Sequence, residues 1–292
     1  MIKVIASDMD GTLLNSEHKV APETIAAVKE ACDAGIRFMI ATGRNFPGAM
    51  TELEGCGFVC DYIVGSGAEV RDPEKRVVQS TAVSPELCRE IYDQVKDFPI
   101  SIIFTTDGAD YRVGKQEEVE ESLIRQIQEF HMNLSRDEII ETPLYKRMKE
   151  KTKIVPDLDA LERDGAPVYK VFLFNGDLDM LDRIRRRLEE NPDIAIASSF
   201  ISNLEITDVK AQKGPVLKKY IESLGYNMDE VMVFGDSLND LSMLSMDFGA
   251  TVAMENAVPE VKQAAKYITK SNDENGVAYA IRELLRYQKK EG

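Results

Sequence analysis

The feature that most constrains this fold is a series of short apolar runs, each followed directly by a polar or glycine-rich cluster. The clearest runs cover residues 2–5, 36–41, 62–64 and 231–234. A helical pattern separates the first two runs, with Pro22 suited to its first turn and Gly35 to its end. Strands that alternate with helices in this way predict a parallel sheet covered by helices.

The middle of the chain has a different pattern. It predicts helices over residues 85–96, 116–131 and 178–190, and strands over residues 100–105, 111–113, 168–175 and 194–198. This order indicates an α+β unit with an open sheet. The α/β alternation returns near the end of the chain. We therefore expect a Rossmann-like α/β core domain formed by residues 1–83 and 206–292, with an α+β domain of residues 84–205 inserted into it.

Composition excludes several classes of protein. The formal net charge of -15 argues against nucleic acid or an anionic membrane surface as a partner. The sequence contains no continuous apolar segment of the length that spans a membrane, and its start does not resemble a signal peptide. Four cysteines without a second Cys/His pair are best explained as free thiols in a reducing compartment, so we expect a cytoplasmic protein.

Acidic residues dominate two of the three polar clusters, which cover residues 8–12, 42–44 and 235–240. In an open parallel sheet the carboxyl ends of neighbouring strands share one crevice, where ligands bind. Asp8, Asp10, Asp236 and Asp240 would then lie close together, and their like charges would oppose folding unless a cation offsets them. Mg²⁺ fits this need, because it prefers oxygen ligands and binds through one or two carboxylates. The spacing of an EF-hand calcium loop is absent.

A phosphate near these acids needs cationic and N–H donors. Lys213 precedes a glycine and a proline at a predicted helix start, where the helix dipole disfavours a lysine. A bound anion explains this position, because the lysine and the helix N-terminus would both point at it. Thr42 and Gly43 add a hydroxyl and a backbone N–H, and Asn239 adds an amide.

Each of these residues also has a simpler explanation. A single Asp-x-Asp is usually a surface turn, and Thr42 alone is more often a helix cap than a ligand. Arg44 fits an ion pair, and His18 and His131 fit surface positions. The functional interpretation is favoured by joint placement, since each acidic cluster directly follows a strand-like run.

On these residues the sequence resembles the haloacid dehalogenase (HAD) superfamily, in particular its Cof-type phosphatases of subfamily IIB, which carry a large inserted cap. The similar segments are DMDGTLL at 8–14, ATGR at 41–44, KG at 213–214, GDSLND at 235–240 and VAMENA at 252–257. The sequence departs from the family at Ser66, where these proteins often have asparagine before Gly-Ala.

The resemblance implies a role for each residue. Asp8 would be the nucleophile and a metal ligand, and Asp10 the general acid and base, with its backbone carbonyl on the metal. Asp236 would be the third metal ligand, and Asp240 would lie just behind the ligands. The implied phosphate contacts are the backbone N–H of Met9 together with Thr42, Gly43, Lys213 and Asn239.

The implied function is Mg²⁺-dependent hydrolysis of a small phosphorylated metabolite through an aspartyl-phosphate, with a sugar phosphate as the expected class. The inserted cap would close over the site and supply the substrate contacts. Two alternatives stay open: a phosphomutase or phosphotransferase of the same superfamily, and a non-enzymatic regulator that binds a phosphorylated metabolite. A flavin or pyridoxal phosphate is also compatible as substrate, and either a monomer or a homodimer is compatible with the sequence.

Overall fold

The structure is a computed structural model that describes residues 1–130 and 134–291. Numbered in chain order, the strands are β1 (Val4–Ser7), β2 (Arg37–Ala41), β3 (Asp61–Val64), β4 (Glu69–Arg71), β5 (Val77–Ser80), β6 (Ser101–Thr105), β7 (Asp110–Val113), β8 (Thr152–Val155), β9 (Lys170–Phe174), β10 (Ile194–Ala197), β11 (Asn203–Asp208), β12 (Val231–Gly235), β13 (Ala250–Ala253) and β14 (Tyr267–Ile268). The helices are α1 (Pro22–Asp33), α2 (Phe46–Glu52), α3 (Pro85–Val95), α4 (Gln116–Phe130), α5 (Arg136–Glu141), α6 (Pro143–Lys151), α7 (Leu158–Asp164), α8 (Leu178–Leu188), α9 (Lys213–Ser223), α10 (Leu241–Leu244), α11 (Pro259–Ala264) and α12 (Gly276–Glu291).

Two compact units divide the chain. The first contains Met1–Thr81 and the chain from Lys210 onward, and the second contains Ala82–Val209. The sheet of the first unit has the strand order β14-β13-β12-β1-β2-β3-β4-β5. Strands β14 to β3 in this order run parallel, and the hairpin of β4 and β5 extends the sheet in antiparallel fashion. The first unit therefore has the parallel α/β sheet that the sequence predicts.

The centre of this sheet positions the polar clusters. Strand β1 lies between β12 and β2, and its Val4 is in register with Val231 on one side and Arg37 on the other. All residues of β1 and β12 are buried, as is typical of parallel strands with both faces covered. Because β1, β2 and β12 are parallel neighbours, the residues that follow them emerge at the same edge of the sheet.

The inserted unit has a six-stranded sheet of order β10-β11-β9-β6-β7-β8, antiparallel except for the pair β7 and β8. One face packs into a core with α3 and α8, through residues such as Ile91, Val171 and Ile184. Because side chains alternate along a strand, Arg112 of β7 and Lys170 of β9 belong to the opposite face. A second small cluster joins α4, α5 and α6 around Leu123, Ile139 and Tyr145.

The inserted unit extends beyond the expected boundaries at both ends. Residues 82–83 and 206–209, assigned to the core domain from the sequence, belong to the inserted unit. The reason for the larger, later difference is β11, which pairs with β9 through Ile206 and Val171 and therefore cannot be divided at residue 205. The sequence pattern does not predict β8, β11 or the helices α5 to α7, and it predicts a helix between β2 and β3 without giving the bounds of α2.

No helix among residues 1–130 and 134–291 combines the length and the apolar character that crossing a bilayer requires.

Candidate active site

Three buried carboxylates meet at the edge of the sheet where β1 and β12 end. Asp8 follows β1, and Asp236 and Asp240 follow β12. Each of the three offers a carboxylate oxygen, and these oxygens lie within 4.8 Å of one another. Their convergence across more than two hundred residues of sequence creates a small, strongly negative site.

Lys213 supplies the positive charge at this site. It is the first residue of α9 and is buried, and its Nζ lies 2.6 Å from Asp8 Oδ1 and 2.6 Å from Asp240 Oδ1. Burial by itself would lower the pKa of Lys213, but Asp240 and Asp8 outweigh it, so the pKa is raised. The lysine therefore stays charged between the two carboxylates.

Asp240 holds this arrangement together. Its Oδ1 accepts from Lys213, and its Oδ2 accepts from the backbone N–H groups of Asp236 (3.0 Å) and Ser237 (3.1 Å). The carboxylate packs so closely on Gly235 that a Cβ there would lie 2.5 Å from the Asp240 Cβ. This packing therefore requires glycine at position 235. Both carboxylate oxygens of Asp240 accept hydrogen bonds from donors within the protein.

Asp236 is held by two hydroxyl groups. Thr12 Oγ1 donates to its Oδ1 at 2.8 Å, and Ser237 Oγ donates to its Oδ2 at 2.9 Å. Gly11, with φ of +76°, packs directly on this carboxylate, and a Cβ at Gly11 would collide with it. The Asp236 side chain is thus fixed in place by the DMDGT segment of the other end of the chain.

The pKa values reflect an excess of buried negative charge. Burial raises the pKa of Asp236 to about 7, and Asp240 adds to the shift. Burial also raises the pKa of Asp8 well above its usual value, with Asp240 adding to this and Lys213 opposing it. One lysine therefore does not fully offset the carboxylates, and an additional cation would stabilise their ionised forms.

The donor set fits Mg²⁺. The converging ligand atoms are all carboxylate oxygens, the kind of ligand that a hard divalent cation prefers. Beside them, Asn239 is buried and its Oδ1 has no hydrogen-bond partner among the described residues. An unpaired buried amide at this position is suited to a polar ligand.

Asp10 lies apart from the three buried carboxylates. Its side chain is 45% exposed and forms a bidentate pair with Arg44, with Nε 2.7 Å from Oδ2 and Nη2 2.7 Å from Oδ1. Arg44 also donates to Glu52 at 2.6 Å, so it matches the ion-pair interpretation. His18 is exposed, with Nδ1 3.9 Å from Asp10 Oδ1, and the other histidine, His131, is outside the described residues.

The predicted phosphate contacts surround the same strand ends. Met9 follows Asp8 with its side chain buried, and Thr42 and Gly43 follow β2. The buried Thr42 hydroxyl accepts from the backbone N–H of Arg44 at 3.2 Å. Lys213 and Asn239 complete this group.

Sequence reasoning missed the residues that support the site. Thr12 and Ser237 lie within the quoted segments, but the sequence assigns them no partner. Asn256 donates from Nδ2 to the carbonyl oxygen of Gly11 at 2.7 Å, which gives the VAMENA segment a structural purpose. Only the location of these residues inside or near the motif segments could have indicated them.

Comparison with known proteins gives a consistent result. Residues 5–281 match the family model of haloacid dehalogenase-like hydrolases. The chain is 31% identical over 287 residues to the 5-amino-6-(5-phospho-D-ribitylamino)uracil phosphatase YwtE of Bacillus subtilis (strain 168). The alignment covers 98% of this chain and 99% of YwtE.

Two solved structures are also similar. A haloacid dehalogenase-like hydrolase from B. subtilis has a TM-score of 0.82 at 28% identity, covering 97% of this chain and 100% of that one. BT4131, a sugar phosphatase of HAD subclass IIB, has a TM-score of 0.73 at 25% identity, and the alignment covers 97% of this chain and 98% of BT4131.

Proposed function

Because the chain belongs to the haloacid dehalogenase-like hydrolases and is a phosphatase, we propose that it hydrolyses a small phosphorylated metabolite through an aspartyl-phosphate on Asp8. The observation that carries this proposal is the buried Lys213, held between Asp8 and Asp240 beside Asp236. A cation and converging carboxylates at the ends of parallel strands are suited to binding and transferring a phosphoryl group.

In the first step, a carboxylate oxygen of Asp8 attacks the phosphorus of the bound monoester. The bond between phosphorus and the ester oxygen breaks, and the leaving oxygen takes a proton from Asp10. Lys213, Asn239, Thr42 and the backbone N–H groups of Met9 and Gly43 hold the phosphoryl oxygens. Fixed donors of this kind stabilise charge that develops during transfer.

In the second step, a water molecule attacks the phosphorus of the aspartyl-phosphate. Asp10 accepts the proton of that water, the bond from phosphorus to Asp8 breaks, and inorganic phosphate leaves. A general acid and base typically contributes about 10²–10⁴-fold to the rate. Both carboxylate oxygens of Asp10 accept hydrogen bonds from Arg44. We therefore infer that substrate entry loosens the Arg44 contact, which frees an oxygen of Asp10 to exchange a proton with the leaving group.

Asp8, Asp236 and the backbone carbonyl of Asp10 would hold Mg²⁺, which when bound offsets negative charge on the phosphoryl group. Asp240 positions the other residues of the site, because it fixes Lys213 and the backbone that follows β12. The kind of donor supports this division of roles: Asp240 accepts from a buried ammonium and two backbone N–H groups, whereas Asp236 accepts only from two hydroxyl groups.

For the substrate we propose a phosphate ester on a polyol or sugar chain. The relative YwtE is named for a phosphorylated ribityl compound, and BT4131 is named a sugar phosphatase. The inserted unit, residues 82–209, would supply the contacts that distinguish one such ester from another.

The test is phosphate release from a panel of sugar and polyol phosphates by the purified protein with Mg²⁺. Asp8→Asn should lower kcat by at least about a thousandfold, because the amide cannot act as the nucleophile. Asp33→Asn is the matched control, since Asp33 is exposed and pairs only with Lys29 among the described residues. Near-normal turnover by Asp8→Asn would refute the proposal, and an isomerised sugar phosphate without free phosphate would indicate a mutase instead.

A further inference from the structure

The inserted unit contains a buried cation without an anionic partner. Arg112, on β7, is 4% exposed. Its Nη1 lies 2.6 Å from Ser101 Oγ and 3.2 Å from Ser122 Oγ, and its Nη2 lies 2.8 Å from Gln126 Oε1. These partners are all neutral, and Nε has no hydrogen-bond partner among the described residues. The positive charge of Arg112 is thus buried, and no carboxylate of a described residue forms a hydrogen bond with it.

A second buried cation on the same face of the sheet shows the contrast. Lys170, on β9, is 6% exposed and forms an ion pair with Glu205 at 3.1 Å. Arg112 forms no salt bridge with any residue that the structure describes. Asp110, two positions away on the same strand, acts on it only electrostatically and does not outweigh the effect of burial. A buried charge normally has an opposite charge in direct contact with it, because removing an unpaired charge from water is unfavourable. Burial accordingly lowers the pKa of Arg112 to about 10.

A cavity of about 370 Å³ adjoins Arg112. It lies among α4, the start of β6, the end of β7 and the segment that follows β9. Ser101, Ser122 and Gln126 line it with Arg112. The other charged residues of the lining are Lys96, Arg125 and Glu118, so cations outnumber the single carboxylate. Phe98 and other aromatic side chains supply an apolar wall. A cavity of this size, with an apolar wall on one side and several convergent polar groups on the other, has the dimensions of a small-molecule site.

A purely structural role explains this arrangement poorly. If Arg112 only connected β7 to α4, a neutral side chain could accept or donate the same hydrogen bonds without burying a charge. Replacement of buried charges by apolar groups is often neutral or stabilising in proteins. The geometry is better explained by an anion that enters the cavity and pairs with the guanidinium, which binds carboxylate and phosphate groups well.

We propose that the cavity between α4 and strands β6 and β7 binds the anionic oxygen group, a phosphate or a carboxylate, of a small molecule, with Arg112 as its buried cation. Every residue of this site belongs to the inserted unit, and none belongs to the candidate active site described above. Binding at this cavity can therefore be tested without turnover.

The chain has no tryptophan, so a single introduced tryptophan reports on this cavity alone. In the full-length variant Phe98→Trp, fluorescence is followed while inorganic phosphate or acetate is added at constant ionic strength, with chloride as the reference anion. We expect a saturable change with a millimolar Kd for phosphate, for acetate or for both. The anion that saturates identifies whether the site prefers phosphate or carboxylate.

Arg112→Met in this background should weaken binding at least tenfold, and Arg112→Lys, which keeps the charge, should weaken it less. Arg187→Met is the matched control, because Arg187 is an exposed arginine of α8 that does not line the cavity, and it should stay within twofold. The proposal is overturned by an unsaturable response in Phe98→Trp itself, by an equal response to chloride, or by unchanged binding in a folded Arg112→Met variant.

Discussion

Asp236 shows how single residues at this site combine stability with function. Its carboxylate is buried beside Asp240 and within reach of Asp8, and two hydroxyl groups orient it. The pKa is raised from its usual 3.8 to about 7, so ionised Asp236 is less stable in the folded protein than in the unfolded chain. The residue that would bind a metal therefore destabilises the metal-free fold.

The first prediction concerns pH. Because the folded protein binds a proton at Asp236 more tightly than the unfolded chain, the free energy of unfolding should fall as pH rises from about 4 to about 7. In EDTA, Asp236→Asn should be more stable than wild type by about 1–3 kcal/mol at pH 8, and nearly equal to it at pH 4. Urea unfolding at the two pH values measures this difference.

Added Mg²⁺ provides the control for this experiment. It should raise the stability of the wild type at pH 8 through binding to the folded state, and it should raise that of Asp236→Asn much less. Equal stability of the two proteins in EDTA at pH 8 would contradict the charge argument.

At the scale of elements, the β4–β5 hairpin contains a residue, Lys75, in a strained left-handed backbone conformation. Its turn is closed by a hydrogen bond from the backbone N–H of Lys75 to the carbonyl of Asp72 at 2.8 Å, and Pro73 occupies a position suited to proline. Lys75 follows in the left-handed region with φ of +67°, and the strand register shifts next to the turn. This is the hairpin geometry in which glycine is preferred at the left-handed position.

The second prediction follows from this turn. Lys75→Gly should raise the free energy of unfolding by about 0.5–1 kcal/mol, because relief of the left-handed strain exceeds the entropy gained by the unfolded chain. Glu74→Gly, one position earlier and without a positive φ, should lower stability. Thermal or urea unfolding of both variants measures the effect, and a loss of stability in Lys75→Gly would show that the strain is absent.

Strand β11 explains why some elements escape sequence analysis. Its sequence, NLEITD, alternates polar and apolar residues, yet Asn203, Glu205 and Thr207 are all buried. Polar residues on one face of a strand normally indicate that this face is exposed to solvent. From its sequence, the segment therefore resembles an exposed connection between domains. Pairing of β11 with both β9 and β10 decides its state, and these contacts are not local.

For the whole molecule, the two units have separate cores. The inserted unit packs Ile184 and its neighbours among α3, α8 and its sheet, whereas the first unit packs residues such as Val233 around β1 and β12. No residue belongs to both clusters. Each core is large enough to form a domain of ordinary size.

The third prediction is that the two units respond separately to core substitutions. Ile184→Ala should destabilise the inserted unit by about 2–5 kcal/mol, through lost burial and a cavity, without changing the stability of the first unit. Val233→Ala should have the converse effect. Hydrogen exchange of amides in each unit measures both, and protection lost equally in both units for either variant would show a single cooperative fold.

The sequence by itself determined the acidic character and the approximate place of the candidate site. Buried runs such as β1 and β12 indicate parallel strands, and parallel neighbours bring Asp8 and Asp236 to the same edge of a sheet. It also predicted that Lys213 begins a helix, a position where a lysine requires a negatively charged partner because the helix dipole is positive there. These inferences rely on local patterns and on the geometry of one kind of sheet, so they need no knowledge of distant contacts.

Only the tertiary structure decided which side chains touch. The pairing of Asp10 with Arg44, the hold of Thr12 on Asp236, and the membership of β11 in the inserted sheet depend on distances between residues far apart in the chain. The same is true of Arg112, whose burial without an acid follows from the packing of α4 on β6 and β7. Burial and pairing are properties of the packed molecule, because the cost of a charge depends on everything that surrounds it.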